Sequence, residues 1–347
     1  MKKVVIGLSG GVDSSVAAYL LKKQGYEVIG ISFKFISEFD DSDARRVADK
    51  LGIEFHTVDY REDFKSIVID NFIKDYEEGL TPNPCSICNK NAKMKFLYDE
   101  MIKYNADFIA TGHYAKNDGG KLYRSADLFK DQTYFLASVP SKILSVTLFP
   151  LEGLEKEDVR NIACEIGLDV YNKKDSTDVC FISTNFKEYM MKHAKMIKGD
   201  IIDIDTKKIL GQHNGLSLYT IGQRKGLNIG GMDNRMFVVG KNTKENVLYV
   251  AKKDTNDYLI SDECIIDSVN LISIHHPTFC TAKFRYHSKE IPVILEYLSN
   301  NQIRVKYNSK ASSVTPGQTC VLYLGNECIG SGIIRKIYKN NEELWYL

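Results

Sequence analysis

The chain has 347 residues, 44% of them hydrophobic and 26% charged, with a formal net charge of +1. That length exceeds one ordinary core and suits two or three domains, and the composition is that of a globular protein rather than a disordered or membrane-embedded one. A near-neutral balance excludes general basicity as a source of nucleic-acid affinity, so any basic surface has to be local.

The first predicted element is an apolar strand, Val4-Val5-Ile6-Gly7-Leu8, which runs into Ser9-Gly10-Gly11-Val12-Asp13-Ser14. A helical pattern starts there at once, with Val16, Ala17, Leu20 and Leu21 on one face and Gly25 as the stop. A strand feeding a glycine-rich turn at a helix N-terminus is a phosphate cradle. The first amides of the helix lack intrahelical partners, the dipole is positive there, and glycines let backbone N–H groups reach an anion. No Lys-Ser/Thr pair stands at Walker spacing and no G-x-G-x-x-G is present. The turn instead resembles the loop of the ATP pyrophosphatases (PP-loop type), which adenylate a carbonyl oxygen and expel pyrophosphate.

Strands are expected over 28–33, 53–58 and 108–110, and helices over 44–51, 62–78 and 91–104. This alternation predicts a Rossmann-like parallel sheet covered by helices, with ligands bound beyond the carboxyl ends of its strands. The turn at Ser9–Ser14 and Thr111-Gly112-His113-Tyr114 both fall at such ends. Thr81-Pro82-Asn83-Pro84 cannot be helix and reads as an exposed functional loop. From about Lys198 short β-rich segments appear, with turns at Gly211-Gln212, Asn214-Gly215, Gly230-Gly231 and Asp233-Asn234. After about Asp262 apolar and polar residues alternate, which suggests a small antiparallel barrel. The expected organisation is a catalytic domain over 1–197, a small β-rich middle domain over 198–260 and a C-terminal β-barrel over 261–347. No apolar stretch approaches membrane-spanning length, and the Met-Lys-Lys start leads straight into a strand, so the expected address is the cytoplasm with no membrane partner.

Eight cysteines in such a chain are expected to be mostly reduced thiols. Cys85-Ser86-Ile87-Cys88 follows the double-proline loop and precedes a lysine-rich helix. Cys180 lies in Asp175-Ser176-Thr177-Asp178-Val179-Cys180-Phe181. A structural zinc site calls for a second pair, and a thioredoxin-type motif calls for a preceding strand; neither context is met. Unreactive thiols are the ordinary reading for Cys164, Cys264, Cys280, Cys320 and Cys328. Lys90, Lys93 and Lys95 follow Cys88, and positive charge favours the reactive thiolate. His56, His193, His275, His276 and His287 show no metal-ligand spacing, and Lys156-Glu157-Asp158 reads as a solvated helix face.

Further motifs extend the pattern along almost the whole chain. They are Lys130-Asp131-Gln132-Thr133-Tyr134-Phe135-Leu136, Phe149-Pro150-Leu151, Gly211-Gln212-His213, the run from Tyr219 to Leu227, and Pro316-Gly317-Gln318. Together with the turn, the double-proline loop and the Cys180 segment, this series resembles the bacterial tRNA-specific 2-thiouridylases, enzymes that replace the C2 oxygen of the wobble uridine with sulfur. The resemblance implies ATP binding by Gly7, Leu8, Ser9, Gly10, Gly11, Val12, Asp13 and Ser14, with Phe33 and Gly112 at the adenosine. Mg2+ is implied on the departing pyrophosphate, with Asp13 helping to position it. Cys180 would carry a persulfide and Cys88 would be the nucleophilic partner, which releases the sulfur or closes a transient Cys88–Cys180 disulfide.

For the tRNA, the resemblance implies contacts from Asn83, Pro84, Cys85, His113, Lys130, Asp131, Gln132, Arg285, Tyr286 and Gln318, with charge added by Gln223-Arg224-Lys225. The implied substrates are the anticodon loops of Lys-, Glu- and Gln-type tRNAs, and the implied sulfur source is a cysteine desulfurase or a relay protein. Many members carry Asp where this chain has Cys85, which leaves the general base open. Cys85, Cys88 and Cys180 could instead converge as a cradle for a 4Fe–4S cluster. Two rivals remain: an ATP pyrophosphatase acting on a small molecule, and a catalytically silent RNA-binding protein.

Overall fold

A computed structural model describes all residues except 174–178, 228, 230–235 and 253–256, and of 308–310 the backbone alone. The N-terminal part is built from β1 (Lys3–Gly7), α1 (Val12–Lys23), β2 (Glu27–Lys34), α2 (Ser42–Leu51) and β3 (Glu54–Asp59). Helices α3 (61–77) and α4 (84–103), then β4 (Phe108–Ala110) and β7 (Thr147–Leu148), complete its sheet layer. The strands stand in the order β3-β2-β1-β4-β7, every pairing parallel. Val4, Val5 and Ile6 are wholly buried, because helices cover both faces and alternate side chains enter the two cores flanking the sheet. The chain leaves β1 for β2 on one side, while β4 lies on the other. The crevice at this reversal, beyond the strand ends, is where the glycine turn and Gly112 sit.

Helix α4 begins earlier than periodicity suggested. Pro84 occupies its first turn, where a missing N–H costs nothing, and Asn83 caps it by accepting from Ser86 N (3.2 Å). Cys85 and Cys88 therefore lie on the helix and not ahead of it. A π-helical stretch, Asn89–Lys93, widens the helix just after Cys88. The segment expected to be an exposed loop is largely interior, with Thr81, Pro82 and Pro84 buried. The reason is a clasp with the C-terminal part: Thr81 N donates to Pro316 O (2.9 Å), and Gln318 Nε2 donates to Thr81 O (2.7 Å).

After α5 (Lys156–Glu165) and α6 (Phe186–His193), the middle strands are β8 (Gly199–Asp203), β9 (Ile209–His213), β10 (Met236–Asn242) and β11 (Val247–Lys252). They form a four-stranded sheet in the order β10-β11-β8-β9, with β8 and β11 parallel. The expected turns at Gly230-Gly231 and Asp233-Asn234 lie outside the described residues, as does 175–178. The last part comprises β12 (Ile260–Leu271), β13 (Phe279–Lys283), β14 (Ile291–Leu298), β15 (Gln302–Ser312), β16 (Thr319–Leu324) and β17 (Glu327–Lys339). Pairing of β12 with both β15 and β17 closes these six strands into an antiparallel barrel.

The barrel is not separate from the α/β layer. A hairpin of β5 (Lys116–Asp118) and β6 (Lys121–Tyr123) pairs with β17 through Tyr123↔Glu327 and Leu122↔Cys328. Leu122, Tyr134, Val321, Tyr323 and Cys328 consequently share one core with strands β1 and β4. No helix of the described residues is long and apolar enough to cross a membrane.

The clasp has a narrow tolerance. Gly317 has φ +90°, and a Cβ there would lie 2.8 Å from Thr81 N and 2.9 Å from Leu80 Cβ. Gly317→Ala is expected to cost about 1–3 kcal/mol through backbone strain and crowding. Thermal or denaturant unfolding measures this, and an unchanged midpoint contradicts a tight clasp.

Candidate active site between the glycine turn and the thiols

The turn from Leu8 to Gly11 is shaped by its own hydroxyls. Ser9 N donates to Ser14 Oγ (3.2 Å), Gly11 N to Ser9 Oγ (3.4 Å), and Ser14 Oγ donates back to Gly11 O (3.1 Å). Gly11 caps α1 without a side-chain bond, so the first-turn amides stay open to an anion. Two glycines permit close approach. A Cβ on Gly10 would stand 2.6 Å from Asp43 Cβ, and one on Gly112 would stand 2.6 Å from Ser14 N. Both contacts involve an α-helical N-terminus, so neither helix start can yield without deforming the cradle.

Asp13 points into the same space and is held from two sides. Tyr114 Oη donates to its Oδ1 (2.9 Å), and Lys156 Nζ contacts Oδ1 (2.7 Å) and Oδ2 (2.8 Å). The Lys156 side chain is only 12% exposed. The reading of this lysine as part of a solvated face is therefore corrected: it opens α5, and burial of its ammonium requires the carboxylate. Gln132 continues the chain of contacts, its Oε1 accepting from Tyr114 N (3.0 Å) and its N–H donating to Tyr114 O (2.9 Å).

The thiol pocket adjoins this site. Phe33 at the end of β2, Cys88, Val179 and Phe181 all pack on one apolar cluster that includes Phe64, Phe72, Ala92 and Phe96. The structure thus brings the Cys180 segment to the CxxC helix and to the end of β2. All eight cysteines are free thiols, with Cys85 and Cys180 reaching solvent and Cys88 half-buried. Desolvation raises the pKa of Cys85 and of Cys88, and it pushes Cys180 up to about 11, helped by the Cys88 and Cys85 charges. Lys93 pulls all three the other way and adds its backbone N–H at Cys88. The expectation of lysine-favoured thiolates is corrected here: desolvation outweighs the pull of Lys93, while Lys95 is engaged by Asp99 (2.6 Å). Among the described residues no group of three or more His, Cys, Asp or Glu side chains is arranged to hold a metal ion. The three thiols do not fit an iron–sulfur cluster in this arrangement.

His113 closes the pocket. Its Nδ1 bonds Thr111 Oγ1 (2.7 Å), its ring meets Phe149 edge-on at 6.3 Å, and desolvation with the Lys93 charge holds it well below its usual pKa. It is neutral at pH 7. Around Asn83, the Tyr134 hydroxyl lies within hydrogen-bond reach and donates to Thr319 O (2.8 Å).

Several residues expected to touch tRNA also have partners inside the chain. Asp131 is buried and accepts from Thr133 Oγ1 (2.6 Å). Arg285 Nη2 donates to Thr315 Oγ1 (2.6 Å) and to Ile221 O (3.3 Å), bridging middle domain and barrel. Tyr286 packs 4.4 Å from Phe135 and 5.8 Å from Tyr134, and Gln318 belongs to the clasp. Lys156 and Tyr114 are the site residues that motif reading passed over. Tyr114 sat in a quoted motif without a role, and nothing in the local pattern around Lys156 distinguishes it from a surface lysine.

Comparison with known proteins agrees along the full length. Three family models match in order: a tRNA methyl transferase HUP domain at residues 2–184, a tRNA methyl transferase PRC-barrel domain at 187–252, and an aminomethyltransferase beta-barrel domain at 261–334. The tRNA-specific 2-thiouridylase MnmA of Mycoplasmopsis pulmonis is 43% identical over 369 residues, covering 100% of both chains. Its counterpart in Geobacillus thermodenitrificans is 43% identical, covering 99% of this chain and 98% of that one. The NH3-dependent NAD synthetase of Campylobacter jejuni overlaps 48% of this chain and 65% of its own at TM-score 0.33 and 22% identity, too partial a likeness to carry weight.

Two outcomes follow from the geometry. Gly112→Ala drives a methyl against the Ser14 backbone and is expected to weaken nucleotide binding about 5- to 150-fold, the equivalent of the roughly 1–3 kcal/mol that overpacking costs; calorimetric titration with ATP checks it. Alkylation of Cys180 in the resting protein should accelerate about tenfold per pH unit from pH 7 towards its raised pKa, because only the thiolate reacts. Lys93→Gln should slow that reaction at fixed pH, since losing the cation raises the thiol further. Mass spectrometry of timed iodoacetamide reactions reads both.

Proposed function

Because the chain belongs to the tRNA-specific 2-thiouridylase family, we propose that it catalyses the ATP-dependent replacement of the C2 oxygen of the tRNA wobble uridine by sulfur. The observation that carries this reading is the adjacency of two chemistries: a phosphate cradle, and a pocket in which Cys88 and the Cys180 segment share an apolar cluster with Phe33. A small-molecule ligase has no use for the second, and a silent RNA binder has no use for either.

A carbonyl oxygen is a poor leaving group, so the first task is to convert it to an adenylate. The open amides of α1 bind the phosphates, and Phe33 and Gly112 flank the adenosine. Lys156, held on Asp13 at rest, is the cation placed to meet the departing pyrophosphate. Asp13 with the Ser9 and Ser14 hydroxyls suits an Mg2+ carried on the nucleotide, which supplies charge neutralisation there. The target uridine enters beside Asn83 and Pro84, out of the anticodon stack. Adenylation of O2 requires loss of the N3 proton. Cys85, with its raised thiol, is a weak base at neutral pH, and the neutral imidazole of His113 offers an acceptor.

Cys180 then delivers sulfur as a persulfide whose terminal atom bonds to C2. Attack of the Cys88 thiolate on Cys180 Sγ breaks the S–S bond and forms a Cys88–Cys180 disulfide. The sulfur stays on C2, and AMP departs with the former oxygen. A thiol reductant resets the pair. The donor to Cys180 is a cysteine desulfurase or a relay protein, and the substrates are Lys-, Glu- and Gln-type tRNAs. The persulfide arrives already activated, whereas Cys88 has to lose its proton before it attacks, with Lys93 the cation that favours its thiolate.

The test is thiolation of unmodified tRNA by the purified protein with ATP, a desulfurase and cysteine. The expected signature is the mass gain of an oxygen-to-sulfur exchange at the wobble uridine, with one pyrophosphate released per sulfur. Cys180→Ser should reduce thiolation to background while ATP and tRNA binding persist. Retained turnover in that variant overturns the persulfide assignment.

A further inference from the structure

Phe129 is 98% exposed, and among the described residues no other large hydrophobic side chain is as exposed. It does not sit on a loose tip. Asp127 Oδ1 accepts from both Phe129 N (3.0 Å) and Lys130 N (3.0 Å), while Ser125 Oγ donates to Asp127 O (2.8 Å). The other carboxylate oxygen of Asp127 accepts from Lys156 N (3.1 Å), and Lys156 Nζ is the group bonded to Asp13 in the phosphate cradle. Two side chains therefore connect the turn that carries Phe129 to the nucleotide site. The ring is presented to solvent by a backbone pinned, through these two side chains, to the nucleotide site.

We propose that Phe129 is a stacking platform for a nucleobase of the RNA substrate next to the extruded one, an inference that rests on the function proposed above. Extracting a base leaves its neighbours without a stacking partner on one face, and an exposed aromatic ring replaces that partner whatever the base. The charge balance of the chain points the same way. With a net charge of +1, phosphate attraction has to come from local basic residues, and stacking adds affinity that salt does not screen. A ring on a pinned turn also leaves less backbone entropy to lose on binding than one on a mobile tip.

The experiment measures tRNA affinity of the full chain for wild type, Phe129→Ala, Phe129→Leu and Phe129→Tyr, at low and at high salt, with ATP affinity as a control. Phe129→Ala and Phe129→Leu should bind tRNA roughly 5- to 150-fold more weakly, the range of one base–aromatic stack. Phe129→Tyr should restore binding, the ratio to wild type should not change with salt, and ATP affinity without tRNA should be unaltered. Equal tRNA affinity in all four proteins overturns the inference and leaves the proposed function standing. A Leu variant as good as Tyr overturns it too, because contact and not stacking would then matter. A defect confined to sulfur delivery by a desulfurase assigns the ring to a protein partner and equally overturns it. Wild-type protein that binds no tRNA removes the proposed function itself.

Discussion

The ion pair between Lys156 and Asp13 organises the site around it. A lysine this poorly exposed is stable as an ammonium only against a carboxylate, and the carboxylate it finds belongs to the first turn of the helix that forms the phosphate cradle. The pair docks the start of α5 on the start of α1. The backbone of the same lysine anchors the Asp127 turn, and Tyr114 and Gln132 tie the next segment to the same carboxylate. Negative charge at a helix N-terminus is favourable, so Asp13 suits the first turn of α1 as well as the ammonium of Lys156.

The sulfur pocket follows the opposite logic. Its walls are apolar and aromatic, and desolvation keeps its thiols protonated against the pull of Lys93. Protonated thiols resist adventitious oxidation and alkylation. Such a pocket suits thiols that are kept unreactive until a reaction calls on them.

The barrel contributes by bracing. The β5–β6 hairpin extends its sheet into the α/β layer, the clasp at Thr81 and Gln318 fixes the start of the CxxC helix, and Arg285 bridges middle domain and barrel. Asn83 and Cys85 are placed by this scaffold, since the loop that carries them is anchored at its far side by the C-terminal part. Asp131 and Arg285, whose motif positions suggested RNA contact, also make bonds within this frame.

The phosphate turn, the parallel α/β layer and the antiparallel barrel were legible in the residues alone. Each depends on contiguous sequence: glycines and hydroxyls within one turn, apolar runs separated by helical periods, and an alternation of period two. The extent of α4 was misjudged because proline, a helix breaker in the interior, is harmless in the first turn. What tertiary structure alone decided are the relations that no local pattern encodes. Lys156 meets Asp13 across 143 positions, the hairpin joins a barrel whose strands come about two hundred residues later, and the thiols of distant segments share one desolvated pocket. Backbone conformation is written in neighbouring residues, whereas burial, and with it the charge state of every group in the site, exists only once remote segments have packed together.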